Sequence, residues 1–178
     1  MSRKEEEILD AALSLFMRYG IGRTTMADIS QAAGVARQTL YNAYPGKEEV
    51  LRAVVQRSAA ECFAAVAAAW AATTDLGEKI DAYYTHVPLA WFDAVMAAPD
   101  AAEIIDGLNT VAKEEMASAT AQWRQLFTTL FTDAGSAEPK QIADFFVSAS
   151  KNAKHDVPDR ETLEARLKIL KRATLALI

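Results

Sequence analysis

The sequence is poor in the residues that break helices and cross-link chains. Cys62 is the single cysteine of 178 residues, so no disulfide can close within the chain and a thiolate cluster is excluded. Its simplest role is that of a small buried apolar side chain. His86 and His155 are the only histidines, and no structural metal site is expected. Seven glycines and five prolines leave few interruptions to a helical chain. No run of alternating β-branched residues lies between turn signals, so strands are not expected. No apolar run approaches the roughly 20 residues that a membrane span needs. The start, MSRKEEEILD, enters charge at once and lacks the apolar stretch of a signal peptide. The expectation is a soluble cytoplasmic protein. Also missing are H-E-x-x-H, G-x-S-x-G, G-x-x-x-x-G-K and the dinucleotide glycine fingerprint. No residue set proposes a reaction, so neither an enzyme nor a bound cofactor is expected.

What is present is apolar and helix-forming. Hydrophobic residues make up 51% of the chain, enough to bury a core and too many for disorder. Alanine-rich stretches such as SAAECFAAVAAAWAA point to an all-α protein. The net charge of −5 does not advertise a polyanionic partner, but it is uneven. Residues 1–52 hold seven basic and seven acidic side chains, 53–150 hold five and thirteen, and 151–178 hold seven and four. An acidic partner would have to meet a local basic face.

Along the chain, Ser2 and Glu5 form a capping-box pair that opens a helix. Ile8, Leu9, Ala12, Leu15, Phe16 and Tyr19 make one apolar stripe on it, and Gly20 supplies a left-handed stop. Thr25 and Asp28 cap a short second helix over about 26–33, with Met26, Ile29 and Ala33 facing inward. Gly34 follows, then a third short helix over about 36–43 anchored by Leu40. Pro45-Gly46 ends it. Lys47 begins a fourth helix that stays patterned past Trp70, with Glu48 and Glu49 suiting its N-terminal end. Thr73-Thr74-Asp75 marks a junction. Helix resumes near Leu76 and runs to about Ala98, with a kink or break expected at Pro88. Further helices are expected from Pro99-Asp100 to about Asp106, over Val111–Asp133, from Pro139 to about Lys154, and from Pro158-Asp159 to the end.

The segment AGVARQTLYNAYPGK explains itself as a helix-turn-helix. Gly34 takes the positive φ of the turn, which costs a residue with a side chain roughly 1 kcal/mol or more. Ile29, Val35 and Leu40 lock two short helices around it. Arg37, Gln38, Thr39 and Asn42 then point outward, and these are residue types that read base edges in a major groove. A solvated helix face is the plain alternative, since two amphipathic helices around a glycine are common.

A wider pattern extends this. ILDAALSLFMRYG followed by TTMADISQAAGVARQTLYNAYPGKEEVL resembles the N-terminal domain of the TetR family of transcriptional repressors. The matching positions are Ile8, Leu9, Ala11, Ala12, Leu15 and Phe16, then Thr25, Ile29, Ala33, Gly34, Val35, Thr39, Leu40, Tyr41, Tyr44, Lys47 and Glu48. The resemblance covers about a third of the chain. It implies a helix-turn-helix DNA-binding domain over 1–52 and a helical ligand-binding and dimerisation domain over 53–178. It further implies base contacts from Arg37, Gln38, Thr39 and Asn42 and phosphate contacts from Tyr41, Tyr44, Lys47 and Thr25. Arg23 would reach the backbone or a minor groove. The implied partner is double-stranded DNA with a near-palindromic operator. Three positions depart from the family pattern. Ala36 stands where Ser or Thr usually caps the third helix, Gln38 replaces a small residue, and Ala43 replaces a polar one.

For the C-terminal part the resemblance implies a cavity for a small molecule. Tyr84, His86, Trp91 and Trp123 combine apolar surface with a polar tip suited to lining it, although plain core is the alternative for each ring. The acidic middle leans towards a neutral or cationic ligand. Near the end, Ile142, Phe145, Phe146 and Ala149 form one stripe, and Leu163, Leu167, Leu170, Thr174 and Leu177 another. Such narrow seams suit helix-to-helix packing, within one chain or between two. The resemblance implies a homodimer through Ile142, Phe145, Phe146, Leu163, Leu167 and Leu170. A helical interaction module that has lost DNA binding is the competing expectation.

Overall fold

The structure is a computed structural model and describes residues 2–98 and 101–178. Every regular element among them is helical, and the fold is all-α. The elements are α1 Arg3–Tyr19, α2 Met26–Ala32, α3 Arg37–Ala43, α4 Lys47–Ala71 and α5 Leu76–Tyr84. After a π-helical turn, Thr85–Leu89, come α6 Ala90–Met96, α7 Ala101–Thr110, α8 Lys113–Asp133, α9 Pro139–Asn152 and α10 Arg160–Leu175. The helix start expected at Pro99-Asp100 lies outside the described residues.

Local chemistry accounts for most boundaries. Ser2 and Glu5 close a full capping box at the head of α1. Asp75 and Asp159 cap α5 and α10 by accepting from the backbone N–H groups of Glu78 and Thr162. Gly20 does carry a positive φ of 87°, but with ψ at 158° it is not the left-handed helical stop expected. α4 runs unbroken for 25 residues. Pro88 interrupts the α-helix as expected: α5 ends at Tyr84, the π-helical turn Thr85–Leu89 holds the proline, and α-helix resumes at Ala90.

The chain packs as two units, Met1–Ala60 with Ala94–Ala117, and Glu61–Asp93 with Ser118–Ile178. The first thus takes in α7 and the start of α8 as well as the N-terminal helices. Its core is aliphatic: Ile8, Leu9, Ala12, Ile29, Leu40, Val50, Leu51, Val54 and Val55, with Phe16 the one buried ring among the described residues. The second unit is built around Tyr83, Tyr84, Phe92, Trp123, Phe127, Phe131 and Phe146. Phe127 and Phe146 lie 4.5 Å apart at their centroids, with Tyr83 edge-on to Phe127 at 4.9 Å. Within this unit Lys171 pairs with Asp81 at 2.6 Å. Arg166 donates to the carbonyls of Ala153, His155 and Asp156, fixing the connection from α9 to α10.

Candidate nucleic-acid interface

The α2–α3 pair is set by its caps and by one glycine. Thr25 accepts from the Asp28 N–H, and the Asp28 carboxylate accepts from the Thr25 N–H at 2.9 Å and the Thr25 hydroxyl at 2.7 Å. The same bonds hold the Asp28 carboxyl below the usual carboxylate range, the Thr25 hydroxyl contributing most. At the other end of α2, the Gly34 N–H donates to Gln31 O and the Val35 N–H to Ser30 O. These two bonds form a Schellman closure. Gly34 has φ 65°, and a Cβ there would meet open space. The left-handed backbone, rather than crowding, is what requires glycine. Met26, Ala33 and Val35 pack against the core while half-buried, and Ile29 is fully buried.

Leu40 holds α3 by its one fully buried side chain, at 0% exposure. The opposite edge is polar and open. Arg37, Gln38, Asn42 and Ala43 are exposed and Thr39 is half-buried. Gln38 Nε2 donates to Asn42 Oδ1 at 2.8 Å across one helical turn. The pair steadies two long side chains and leaves Gln38 an acceptor oxygen and Asn42 an amide donor for an outside partner. Ala36, in the cap position, makes no side-chain hydrogen bond to α3. Tyr41 is 48% exposed, which removes the alternative of a core aromatic. Tyr44 packs against the core, and partial burial raises its phenol pKa, with Glu5 adding and Arg57 opposing.

Lys47 is placed differently from its neighbours. Its ammonium donates to Ile21 O at 2.7 Å, Gly22 O at 3.1 Å and Thr24 O at 3.0 Å. All three of its protons are thereby directed at the loop before α2. Arg52 is likewise engaged, with Glu48, Glu49 and the Val111 carbonyl, and Arg57 pairs with Asp10 at 2.8 Å. Exposed Arg23 lines a groove of about 590 Å³ with Arg18, Tyr19 and Gln31. Thr25 is exposed at the head of α2.

Residues 8–54 match the family described as bacterial regulatory proteins, tetR family. It is this N-terminal stretch, about a quarter of the chain, that the family likeness covers. Among its relatives is the HTH-type transcriptional regulator SrpR of Pseudomonas putida, 42% identical over 50 residues, which are 28% of this chain and 24% of that protein. Another is the biofilm operon icaADBC HTH-type negative transcriptional regulator IcaR of Staphylococcus epidermidis. It is 36% identical over 59 residues, covering 33% of this chain and 30% of the relative. The match thus spans about a quarter to a third of these relatives' length. A transcriptional regulator from Cytophaga hutchinsonii shares the fold over 99% of this chain and 97% of its own, with TM-score 0.76 and 19% identity.

In the second unit, the expected ligand residues are in part core. Trp123 stacks on Phe63 with centroids 3.8 Å apart, and Tyr84 stacks on Phe146 at 5.7 Å. Trp91 and His86 are half-buried. Burial pushes the Tyr84 phenol well up, and Ser150 is close enough to temper the rise. Yet the Tyr84 hydroxyl, the Ser150 hydroxyl and Trp91 Nε1 are buried without hydrogen-bond partners. Lys154 was not singled out from sequence. Its ammonium lies 3.4 Å over the Trp91 ring, and burial, with Lys151 nearby, lowers its pKa to about 8. A single lysine just beyond α9 carries no pattern that could have announced this.

The terminal seams are turned inward. Ile142, Phe146, Leu163, Leu167 and Leu170 are all buried in the unit's own core. Those five side chains cannot also face a second copy while this packing holds. The within-chain alternative describes them, because α9 and α10 pack on each other and α10 on α5. Phe145 is the exception at 52% exposure. It borders a depression of about 330 Å³ with Leu177, Gln141 and Glu138.

Proposed function

We propose that this chain is a DNA-binding transcriptional regulator, acting as a homodimeric repressor that a small molecule releases from a near-palindromic operator. The observation that carries the reading is the free polar edge of α3, mounted on Leu40 and turned outward by the closure at Gly34. One such helix of seven residues reads too few base pairs to be specific alone, so two copies are needed. Arg37, Gln38, Thr39 and Asn42 would touch base edges. Tyr41, Tyr44, Thr25 and Arg23 would meet the backbone, and the N-terminal end of α4 at Lys47 would face a phosphate. IcaR, a negative regulator by its name, supports repression as the direction of control. The proposed division of labour is DNA binding by 1–52 and ligand binding and dimerisation by 53–178. The dimer face is best placed on exposed Phe145 and Leu177, since the other seam residues are spent internally. Tyr84, His86, Trp91 and Trp123 would line the ligand site once the aromatic core loosens around a guest, and α4 would carry the change. A coupling of about 1–3 kcal/mol is usual for such switches.

The test uses a duplex selected from a random pool by the full-length protein. Arg37→Ala is expected to weaken binding by about 1–3 kcal/mol and to relax preference at one position per half-site. An Arg37→Ala protein with unchanged affinity and unchanged sequence preference would show that the α3 edge is not the reading head. If the native protein selects no duplex even at low salt, the interaction-module alternative takes its place.

A further inference from the structure

The loop joining α1 to α2 is built with more care than a connection requires. It reads Gly20-Ile21-Gly22-Arg23-Thr24, and its backbone is tied from several sides. The Thr24 hydroxyl donates to Gly20 O at 2.7 Å, and Lys47 holds three of its carbonyls from the head of α4. The remaining tie comes from 81 residues away in sequence: the Gly22 N–H donates to the Glu103 carboxylate on α7. Three glycines make this fit. A Cβ at Gly20 or Gly22 would run into the Glu103 carboxylate, the latter at 2.9 Å from Oε1. A Cβ at Gly107, one turn further along α7, would sit 2.5 Å from Ile21 Cδ1. The Ile21 side chain therefore needs the bare backbone of α7 beneath it, and the Gly22 amide needs the carboxylate beside it. Both partners belong to the same packed unit as the loop.

We propose that Glu103, with the seat at Gly107, is a positioning residue for the DNA-facing end of α2. Thr25 caps α2 three residues after the Gly22 amide, and Arg23 lies between. Lys47 holds the carbonyl side of the loop and Glu103 the amide side. Without Glu103 the loop is held on one side, and the phosphate-facing groups at Arg23 and Thr25 lose their fixed placement. The hydrogen bond, not the negative charge, does this, because a carboxylate near a phosphate-binding loop would by charge alone oppose DNA. The part of the proposal that concerns DNA rests on the function proposed above. The part that concerns the loop does not.

The experiment compares Glu103→Ala, Glu103→Gln, Gly22→Ala and the Glu103→Ala/Gly22→Ala double variant in the full chain. Gly22 has no positive φ, so alanine there displaces the carboxylate without straining the backbone. Two readouts are taken: hydrogen exchange of the residue-22 amide in the free protein, and affinity for the selected duplex. Far-UV circular dichroism verifies that each variant is folded. Glu103→Ala should speed exchange and weaken DNA binding roughly tenfold, the scale of a lost hydrogen bond to a charged group. Glu103→Gln keeps an acceptor oxygen and should stay within about threefold of the native protein. Gly22→Ala should match Glu103→Ala, and the double variant should add nothing further. Unchanged exchange in Glu103→Ala overturns the loop contact. Faster exchange with unchanged or tighter DNA binding overturns the positioning role. So does a glutamine variant as weak as the alanine one, or losses that add in the double variant. If no duplex is selected at all, the DNA role falls with the proposed function, and exchange alone still decides the loop contact.

Discussion

The two packed units solve the problem of a small helical core in opposite ways. The unit that carries the helix-turn-helix is filled with branched aliphatic side chains and one buried ring, and its buried hydroxyls are bonded locally. Thr24 donates to Gly20 O and Ser30 to Ala27 O. The other unit is a mesh of aromatic rings, and it leaves the hydroxyls of Tyr84, Ser150 and Thr174 buried without partners. Aliphatic side chains with bonded hydroxyls favour one arrangement, as holding a short helix at a fixed angle requires. Large rings around unpaired donors leave a core that a guest offering acceptors could improve. The difference is what a reading head and a ligand-responsive body would each need.

Breaking the aliphatic core should have the largest effect. Leu40 is the only fully buried side chain of α3, and Leu40→Ala is expected to cost about 2–5 kcal/mol. The three tryptophans, Trp70, Trp91 and Trp123, all lie in the second unit. The circular-dichroism transition of the first unit should therefore fall while the tryptophan fluorescence transition stays in place. A fluorescence transition that falls equally would show the units to be one cooperative body, and the contrast between them would lose its meaning.

A smaller effect should appear in the pH dependence of the second unit. Burial lowers the Lys154 pKa from 10.5 to about 8. Between those values the unfolded chain binds the proton that the folded chain has released, so stability contributed by this site rises with pH from about 8 to about 10.5. Lys154→Met should flatten that rise, measured as urea midpoints across the window. A lysine resonance titrating near 10.5 in the native protein would place the ammonium in solvent and off the Trp91 ring. The Lys154 cation also bears on the proposed ligand. The acidic balance of residues 53–150 leans towards a neutral or cationic guest, whereas Lys154 beside Trp91 favours an acceptor.

How much of this was written in the sequence depends on how local the physics is. The caps at Ser2 and Thr25, the turn at Gly34 and the anchor at Leu40 follow from residues a few positions apart, and each stands where the pattern put it. α9 and α10 were legible as helices with apolar stripes, but which partner those stripes would meet was not. Ile142 and Leu167 read the same whether they face α5 or a second chain. Pro88 was legible as the place where the α-helix is interrupted, but not as a π-helical turn, because its missing N–H fixes where the ladder is disturbed and not how. Lys47 reads as a surface cation from its neighbours; only the fold brings three carbonyls to it. Glu103 was illegible for the same reason, since its partner lies on the far side of α2 to α6 in sequence.

The gentlest test of the contrast removes one hydroxyl from each core. In the first unit, Thr24→Val deletes a donor that Gly20 O accepts at 2.7 Å. It leaves that buried carbonyl with one partner fewer and should cost about 1 kcal/mol. In the second, Tyr84→Phe deletes a hydroxyl that has no partner, while the ring and its stacking on Phe146 are kept. The unfolded chain loses a hydrated hydroxyl and the folded chain loses an unpaid desolvation, so stability should be unchanged or rise by up to about 1 kcal/mol. Urea unfolding followed by circular dichroism for Thr24→Val and by tryptophan fluorescence for Tyr84→Phe measures both. A loss in the first and none in the second is what the two cores require. A loss in Tyr84→Phe as large as that in Thr24→Val would mean that the tyrosine hydroxyl is bonded in solution, to ordered water or to Ser150. The Tyr84 hydroxyl would then be as well satisfied as that of Thr24, and would not be open to a guest.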